Sequence, residues 1–202
     1  MANKKTHKLF PTPIFECKID NYEKLNLDLE KYIYDLRKKD NNGLKLSNRG
    51  GGWHSPYFKI SNNKEVKNFL KALSPVLFDI ITKDFGWKCS LEQIIFEGMW
   101  SVINTKNSHN LRHFHPNCHL SAAYYVRAQK NCGNIKFYNP LDQKVMYSPT
   151  KTDHTELSAE AATFTPQEGD LLIFPSYLHH SVEENLSGED RNVISFNVSI
   201  QK

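Results

Sequence analysis

Two short segments hold most of the nine histidines in this chain: HNLRHFHPNCH at 109–119 and LHHSVEEN at 178–185. In an extended chain the side chains of residues i and i+2 point the same way, so His113 and His115 can present two imidazoles to one metal ion. Pro116 ends that run, and the second segment then supplies the third ligand, for which we choose His180 over His179. Five of the six other histidines are assigned structural roles: His54, His109, His119, His154 and His179.

Arg191 follows His180 by eleven positions and begins the last β-prone run of the chain, RNVISFNVSI. Its plainest role is an exposed charge at a strand end. Its sharper role is to hold a carboxylate through two parallel hydrogen bonds, a geometry that lysine does not reproduce. Ser195 and Asn197 share its strand parity and are expected to point into the same cavity. The pattern therefore predicts a metal ion beside an acidic ligand.

The elements that must position these residues change in character near residue 88. Two amphipathic helices are predicted before it, with Asn62 and Glu65 capping the second and Pro75 kinking or interrupting it. Their apolar positions are Leu25, Leu29, Ile33 and Leu36 in the first helix and Val66, Phe69, Leu70, Leu73, Leu77 and Ile80 in the second. Between the helices, consecutive glycines predict an irregular loop at 47–56 that carries Trp53.

After residue 88 the chain consists of short β-prone runs separated by turn residues. They are IIFEGMWSVI, HLSAAYYVRA, GNIKFYN, DLLIFP and NVISFNVSI. Short antiparallel strands at this spacing predict a sandwich or jelly roll. We expect a single domain over 1–202 that is mainly β with flanking helices. Its N-terminal helical part, about 1–88, would pack on the sheet of a β core over about 89–202.

The composition limits the classes of function. Hydrophobic residues make up 39% of the chain, charged residues 24%, and the net charge is +4 with basic residues spread along the sequence. This balance permits an anionic ligand, and no nucleic-acid motif is present. No apolar run is long enough for a signal peptide or a membrane span, so a cytoplasmic location without membrane contact is expected. The four cysteines form no Cys-x-x-Cys pair and are expected to be reduced.

A series of motifs runs through most of the chain in a fixed order. They are SNRGGGWHS at 47–55, WSVIN at 100–104, HFHP at 113–116, SAAYYV at 121–126, FPSYLHHSV at 174–182 and RNVISFN at 191–197. This series resembles the 2-oxoglutarate- and iron(II)-dependent oxygenases, whose fold is the double-stranded β-helix, also called jelly roll or cupin. Within that superfamily it is similar to a group of oxygenases from bacteria and their viruses.

The resemblance implies that His113, His115 and His180 bind iron(II), and that Arg191 binds the distal carboxylate of 2-oxoglutarate with Ser195 as its helper. The keto oxygen and near carboxylate of 2-oxoglutarate would bind the iron and leave one position for dioxygen. The implied reaction is oxidative decarboxylation of 2-oxoglutarate to succinate, coupled to hydroxylation of a substrate.

Further residues are implied to bind the co-substrate in the same pocket: Asn104, Tyr124, Tyr125 and Asn197. For the two tyrosines, packing in the core is an equal expectation, because buried aromatic rings contribute packing area whatever else they do.

One position departs from the superfamily, which uses two histidines and one carboxylate in a His-x-Asp or His-x-Glu motif. This chain has His115 at the carboxylate position. A neutral imidazole there raises the charge of an iron centre by one and makes the donor set softer. A carboxylate from elsewhere in the chain is an open alternative: Asp142, Asp153 or Glu156.

Two other functions remain open on the sequence alone. The three histidines could hold zinc or manganese in a non-catalytic cupin-like protein that binds a metal or a small anion. A cupin-type isomerase, or a dioxygenase that needs no oxo acid, is the other alternative. The presence of Arg191 at the position that binds the oxo acid argues against it. The substrate is a small molecule or a peptide of unspecified kind. The loops at 40–56 and 141–168 are expected to shape its pocket, the second as a lid, and a homo-oligomer stays open.

Overall fold

The computed structural model describes residues 2–141 and 148–201, whose strands form two antiparallel sheets. With strands numbered along the chain, the major sheet has the order β1 (Phe15–Lys18), β9 (Asp170–Pro175), β6 (Leu120–Arg127), β11 (Arg191–Ile200), β4 (Ile94–Asn104) and β3 (Trp53–His54). The minor sheet has the order β2 (Asn48–Arg49), β5 (His109–His113), β10 (His180–Val182), β7 (Ile135–Tyr138) and β8 (Ala161–Phe164). This sandwich with helices confirms the predicted fold class.

Two helices, α1 (Tyr22–Lys39) and α2 (Lys64–Asp79), pack on the outer face of the major sheet. The N-cap of α2 is Asn63, whose Oδ1 accepts a hydrogen bond from the Val66 N–H at 2.7 Å, so the predicted cap Asn62 is wrong by one residue. The helix also continues through Pro75, contrary to the predicted interruption. The carbonyl that loses its partner there belongs to the exposed Lys71 and can bind water instead.

Short irregular helices complete this half of the chain. A π-helical turn follows α2 at Ile80–Asp84, and 3₁₀ turns lie at Ile60–Asn62 and Leu91–Gln93. Within residues 2–141 and 148–201, none of the helices combines the length and the apolar character that crossing a bilayer requires.

The strands of the major sheet separate two apolar clusters. Side chains on one face of each strand join the helices, and those on the other face fill the space between the sheets. Tyr124 and Tyr125 illustrate this alternation: Tyr124 packs with the helices, whereas Tyr125 lies between the sheets with Phe137 and Phe174. Neighbouring residues of a strand point to opposite faces, so the two tyrosines cannot share a pocket.

The first part of the chain is less purely helical than predicted. β1 pairs with β9, and β3 pairs with β4, so this part extends the major sheet at both edges. The loop at 47–56 contains β2 and β3 and carries the chain from the minor sheet to the major sheet. Trp53 is buried there, and its Nε1–H donates to the Asp40 carbonyl at 2.7 Å.

The predicted lid at 141–168 contains an additional strand. β8 pairs with β7 at the edge of the minor sheet, so at least Ala161–Phe164 is part of the fold and not of a free loop. Residues 142–147 lie outside the described part of the chain.

Tyr124→Phe should lower the free energy of unfolding by about 1–2 kcal/mol, because the Tyr124 hydroxyl donates at 2.6 Å to the buried Oδ1 of Asn26. Without that donor the Asn26 oxygen is left unsatisfied. The Asn26 side chain cannot turn toward another donor, because its amide nitrogen is held by the hydrogen bond to the Val126 carbonyl. Urea unfolding measures the change. The matched control is Tyr177→Phe, at an exposed residue, and equal stability of the two variants would contradict the analysis.

Candidate metal centre

Three histidines converge at the edge of the space between the sheets. His113 ends β5 and His180 begins β10, and the two residues face each other in the strand register. His115 lies two residues beyond β5, where its backbone N–H donates to the Ser176 carbonyl at 3.0 Å. One ligand atom from each of these histidines lies within 4.8 Å of the others. Small side-chain rotations would therefore let all three bind one ion.

The orientation of two rings is set by backbone carbonyls. Nδ1 of His113 lies 2.6 Å from the Leu111 carbonyl, and Nδ1 of His180 lies 3.0 Å from the Leu178 carbonyl. A carbonyl accepts only, so each Nδ1 carries the proton and each Nε2 keeps its lone pair. Metal-binding histidines are usually held in this way by an outer hydrogen bond. The donor set fits a metal ion for that reason.

The three imidazoles are neutral near pH 7. Burial, assisted by the neighbouring His113, lowers the pKa of His115 to about 4 and that of His180 to about 3. Burial also lowers the pKa of His113. A metal ion therefore meets unprotonated nitrogens and displaces no proton at neutral pH.

No carboxylate belongs to this cluster among the described residues. Asp153 and Glu156 lie on an exposed segment, where Glu156 pairs with Lys8, so neither approaches the histidines. Asp142, the third alternative, lies outside the described residues. The centre formed by the described part of the chain consists of three imidazoles.

Arg191 is 1% exposed and lies between the sheets, so its reading as an exposed strand-end charge is wrong. Its Nη1 donates to the Cys132 and Gly133 carbonyls, both at 3.0 Å, and its Nη2 donates to Asn104 Oδ1 at 2.7 Å. Its buried Nε has no hydrogen-bond partner among the described residues.

These contacts leave Nε–H without a partner among the described residues. Nε lies beside Nη2 on the edge of the guanidinium that can bind both oxygens of a carboxylate. No acidic residue in the described ranges forms an ion pair with Arg191. A buried cation without a counter-charge is costly, so the residues here fit an anionic ligand.

A cavity of about 400 Å³ joins the histidines and Arg191. Its floor is built from alternate residues of β4 and β11 in paired rows. Asn104 faces Arg191 at one end, and Trp100 faces Ser195 nearer the other. Ser195 lies four positions along β11 from Arg191, in the row of Trp100, and lines the same cavity. Its role as a helper of Arg191 stays a prediction.

The other residues predicted for the pocket divide into two groups. Asn104, Tyr125 and Asn197 line the cavity, but Tyr124 is directed into the helical cluster. Burial raises the pKa of the Tyr125 hydroxyl, which is therefore a neutral donor close to Arg191. Asn104 acts on the ligand site through Arg191, whose Nη2 it binds.

His54 was assigned a structural role by sequence, and the structure places it in the cavity wall. Its ring is 2% exposed and stacks on Trp100, with ring centroids 5.7 Å apart and planes at 12°. Tyr57 lies on the other side of the same tryptophan, at 5.6 Å. The sequence feature that could have indicated this position in the wall is the location of His54 next to the glycines and Trp53 in SNRGGGWHS.

The sequence also did not predict that the backbone carbonyls of Cys132 and Gly133 bind Arg191. Gly133 adopts a φ of +90°, and a Cβ there would lie 2.3 Å from the Glu183 carbonyl oxygen. Only glycine fits this turn, whose carbonyls face the guanidinium. Asn131-Cys132-Gly133 is a turn signal in the sequence, but nothing in it points to Arg191.

Comparison with known proteins places these observations in a family. Residues 98–197, about half of the chain, match the model of a family described as "Putative 2OG-Fe(II) oxygenase". No curated protein sequence matches the chain.

Several solved structures share the fold at low sequence identity. A prolyl-4-hydroxylase from Pseudomonas putida has a TM-score of 0.66 and 12% identity, with 95% of this chain and 94% of that chain covered. A viral collagen prolyl hydroxylase from Paramecium bursaria Chlorella virus-1, in a 2OG complex, has a TM-score of 0.55 and 12% identity, with 91% and 94% covered. HygX from Streptomyces hygroscopicus, with nickel and 2-oxoglutarate bound, has a TM-score of 0.62 and 10% identity, with 94% and 83% covered.

The stability of the metal-free protein should fall as the pH drops from 7 to 5. The unfolded chain takes up protons on histidine near pH 6.5, whereas His115 and His180 stay neutral in the fold down to about pH 4 and about pH 3. The unfolded state therefore binds more protons in this window, and each such histidine contributes up to about 1.4 kcal/mol per pH unit. Urea unfolding at pH 7, 6 and 5 measures the slope. It should be smaller in His115→Gln, and parallel slopes would refute the prediction.

Proposed function

The chain belongs to the 2OG-Fe(II) oxygenase family, and on that premise we propose that it is a dioxygenase coupling oxidative decarboxylation of 2-oxoglutarate to hydroxylation of a substrate. The observation that carries the proposal is the pairing of two incomplete sites in one cavity. Three imidazoles converge with free lone pairs, and a buried guanidinium presents an unpaired edge. A metal ion and a dicarboxylate would complete both.

In this proposal Arg191 binds the distal carboxylate of 2-oxoglutarate through Nε and Nη2. Asn104 and the turn at Cys132–Gly133 hold the guanidinium plane, so little side-chain freedom is left to lose on binding. The Tyr125 hydroxyl, in the same part of the cavity, is the residue placed to assist it. The near end of the oxo acid then points toward the histidines.

His113, His115 and His180 would hold iron(II) on one side and leave the cavity side for the oxo acid and dioxygen. Bound iron(II) supplies the oxidation by dioxygen that no side chain can perform. Because the three ligands are neutral, the centre keeps the full charge of the ion and attracts the oxo-acid carboxylate more strongly than a centre with a carboxylate ligand. Phe174, packed 4.9 Å from the His180 ring, helps to exclude water from this side.

His180→Ala should abolish stoichiometric iron(II) binding, because it removes the most buried of the three ligands. The adjacent His179→Ala provides a matched control: that ring packs on Phe114 at 4.8 Å and is not part of the cluster. Anaerobic titration of iron(II), followed by metal analysis after desalting, measures the stoichiometry. Loss of iron in both variants, or in neither, would contradict the assignment of His180.

Turnover of 2-oxoglutarate tests the proposed reaction directly. Protein loaded with iron(II) without oxygen should, on exposure to oxygen, convert labelled 2-oxoglutarate to succinate slowly even without a substrate. Arg191→Ala should retain iron and lose at least about tenfold in 2-oxoglutarate affinity, since a charge-assisted contact of about 1.5–3 kcal/mol is removed. The control is Arg127→Ala, at a partly exposed arginine paired with Glu30 and Glu189.

The outcomes separate the proposal from its main alternative. Succinate that depends on iron and on Arg191 supports the dioxygenase. Tight metal binding with no affinity for 2-oxoglutarate would contradict it and favour a metal-binding protein of the same fold. Zinc binding by itself decides nothing, because zinc outcompetes iron(II) at most nitrogen sites.

A further inference from the structure

The end of the cavity away from Arg191 has a wall of stacked aromatic rings. Trp100 lies between His54 and Tyr57 in this stack and contacts the His115 ring at a centroid distance of 5.6 Å. The wall therefore begins beside the proposed metal ligands. Tyr57 is 60% exposed at the rim, where its ring rests on the bare backbone of Gly98. An exposed ring in that position is available to stack on a ligand.

The floor at this end carries uncharged hydrogen-bonding groups. Asn197 and Ser195 line the cavity from β11. The Oδ1 of Asn197 accepts a hydrogen bond from the Ser121 hydroxyl at 2.8 Å, which leaves the amide hydrogens of Asn197 free to donate. The Ser195 hydroxyl has no hydrogen-bond partner among the described residues and lies one row closer to Trp100. Both groups suit a carbonyl acceptor.

The formal charges of the side chains that line the cavity limit which ligands can bind at this end. Among the lining residues in the described ranges there is no aspartate, glutamate or lysine, and the one arginine, Arg191, lies at the far end. A charged group placed against the aromatic wall would lose its hydration without a side chain of opposite charge beside it. The portion of a ligand that reaches the metal side is therefore favoured to be neutral.

We propose that this end of the cavity binds the prime substrate through an uncharged, carbonyl-bearing ring. The ring stacks on the exposed Tyr57 and accepts hydrogen bonds from Asn197 and Ser195. This inference rests on the proposed function for its chemistry, in which a C–H bond of the substrate becomes C–OH. One oxygen atom of dioxygen enters that hydroxyl, the other enters succinate, and 2-oxoglutarate loses carbon dioxide.

Ligand-detected saturation-transfer NMR on zinc-loaded protein tests the site without turnover. The probes are δ-valerolactam and thymine, which are uncharged rings with carbonyl groups, and their anionic counterparts 6-oxopiperidine-2-carboxylate and orotate, which keep the ring carbonyls. Spectra are recorded with and without 2-oxoglutarate, so ring binding and co-substrate binding are measured separately. The uncharged rings should bind, and the charged ones should bind at least about tenfold more weakly.

Single substitutions show which residues of the cavity bind the ring. Tyr57→Ala should weaken δ-valerolactam binding about two- to tenfold, the effect of losing one stacked ring. Asn197→Ala should also weaken δ-valerolactam binding, because the amide that donates to the ring carbonyl is lost. Tyr177→Ala is the matched control, because this tyrosine is 55% exposed and does not line the cavity, and it should leave binding unchanged.

Two results would overturn the inference: equal binding of charged and uncharged rings, or equal effects of Tyr57→Ala and Tyr177→Ala. Absence of ring binding in protein that binds 2-oxoglutarate normally would also overturn it and would leave the proposed function standing. Loss of 2-oxoglutarate binding would instead count against the proposed function, whatever the rings do.

Discussion

The burial of Arg191 is the constraint on which the site depends. A guanidinium between two sheets needs partners for its N–H groups, and the chain supplies partners for Nη1 and Nη2 from both sheets at once. Asn104 binds it from β4, and the carbonyl of Gly133 binds it from the turn before β7. The amide of Asn104 then donates to Asn110, and Asn110 donates to Ser47 in the glycine-rich segment. One buried charge thus holds β4, β5, β11 and the β2 region in a single hydrogen-bonded network.

The same network connects the two parts of the site, the histidine cluster and Arg191. His180 and Arg191 lie on successive strands, β10 and β11, and the connection between them is fixed by Asn185. This fully buried side chain donates to the Asn104 and Glu189 carbonyls at 2.8 Å, and its Oδ1 accepts from Ser187. Asn185 and Ser187 thus hold the turn that connects the strand of His180 to the strand of Arg191.

The electrostatics of the cavity divide it into regions with different preferences. One end holds a permanent cation with an open edge, and the middle holds three imidazoles kept neutral by burial. The other end is aromatic, with uncharged hydrogen-bonding groups on its floor. We propose an oxo acid, a divalent metal ion and a neutral ring as the respective ligands of these three environments. The floor of the cavity follows from side chains that alternate along β4 and β11, whereas the imidazoles come from β5, from the chain just after it and from β10.

The sequence by itself determined the fold class and the residues that could bind a metal, because strand periodicity and histidine spacing are local properties. It also placed Arg191 and Asn197 on one face of the last strand. Only the tertiary structure decided which residues meet across the sandwich. It separated Tyr124 from Tyr125, buried Arg191 between the sheets, and brought His54 into the wall. Contacts between strands far apart in the chain depend on register and on sheet pairing, and a single sequence states neither of these.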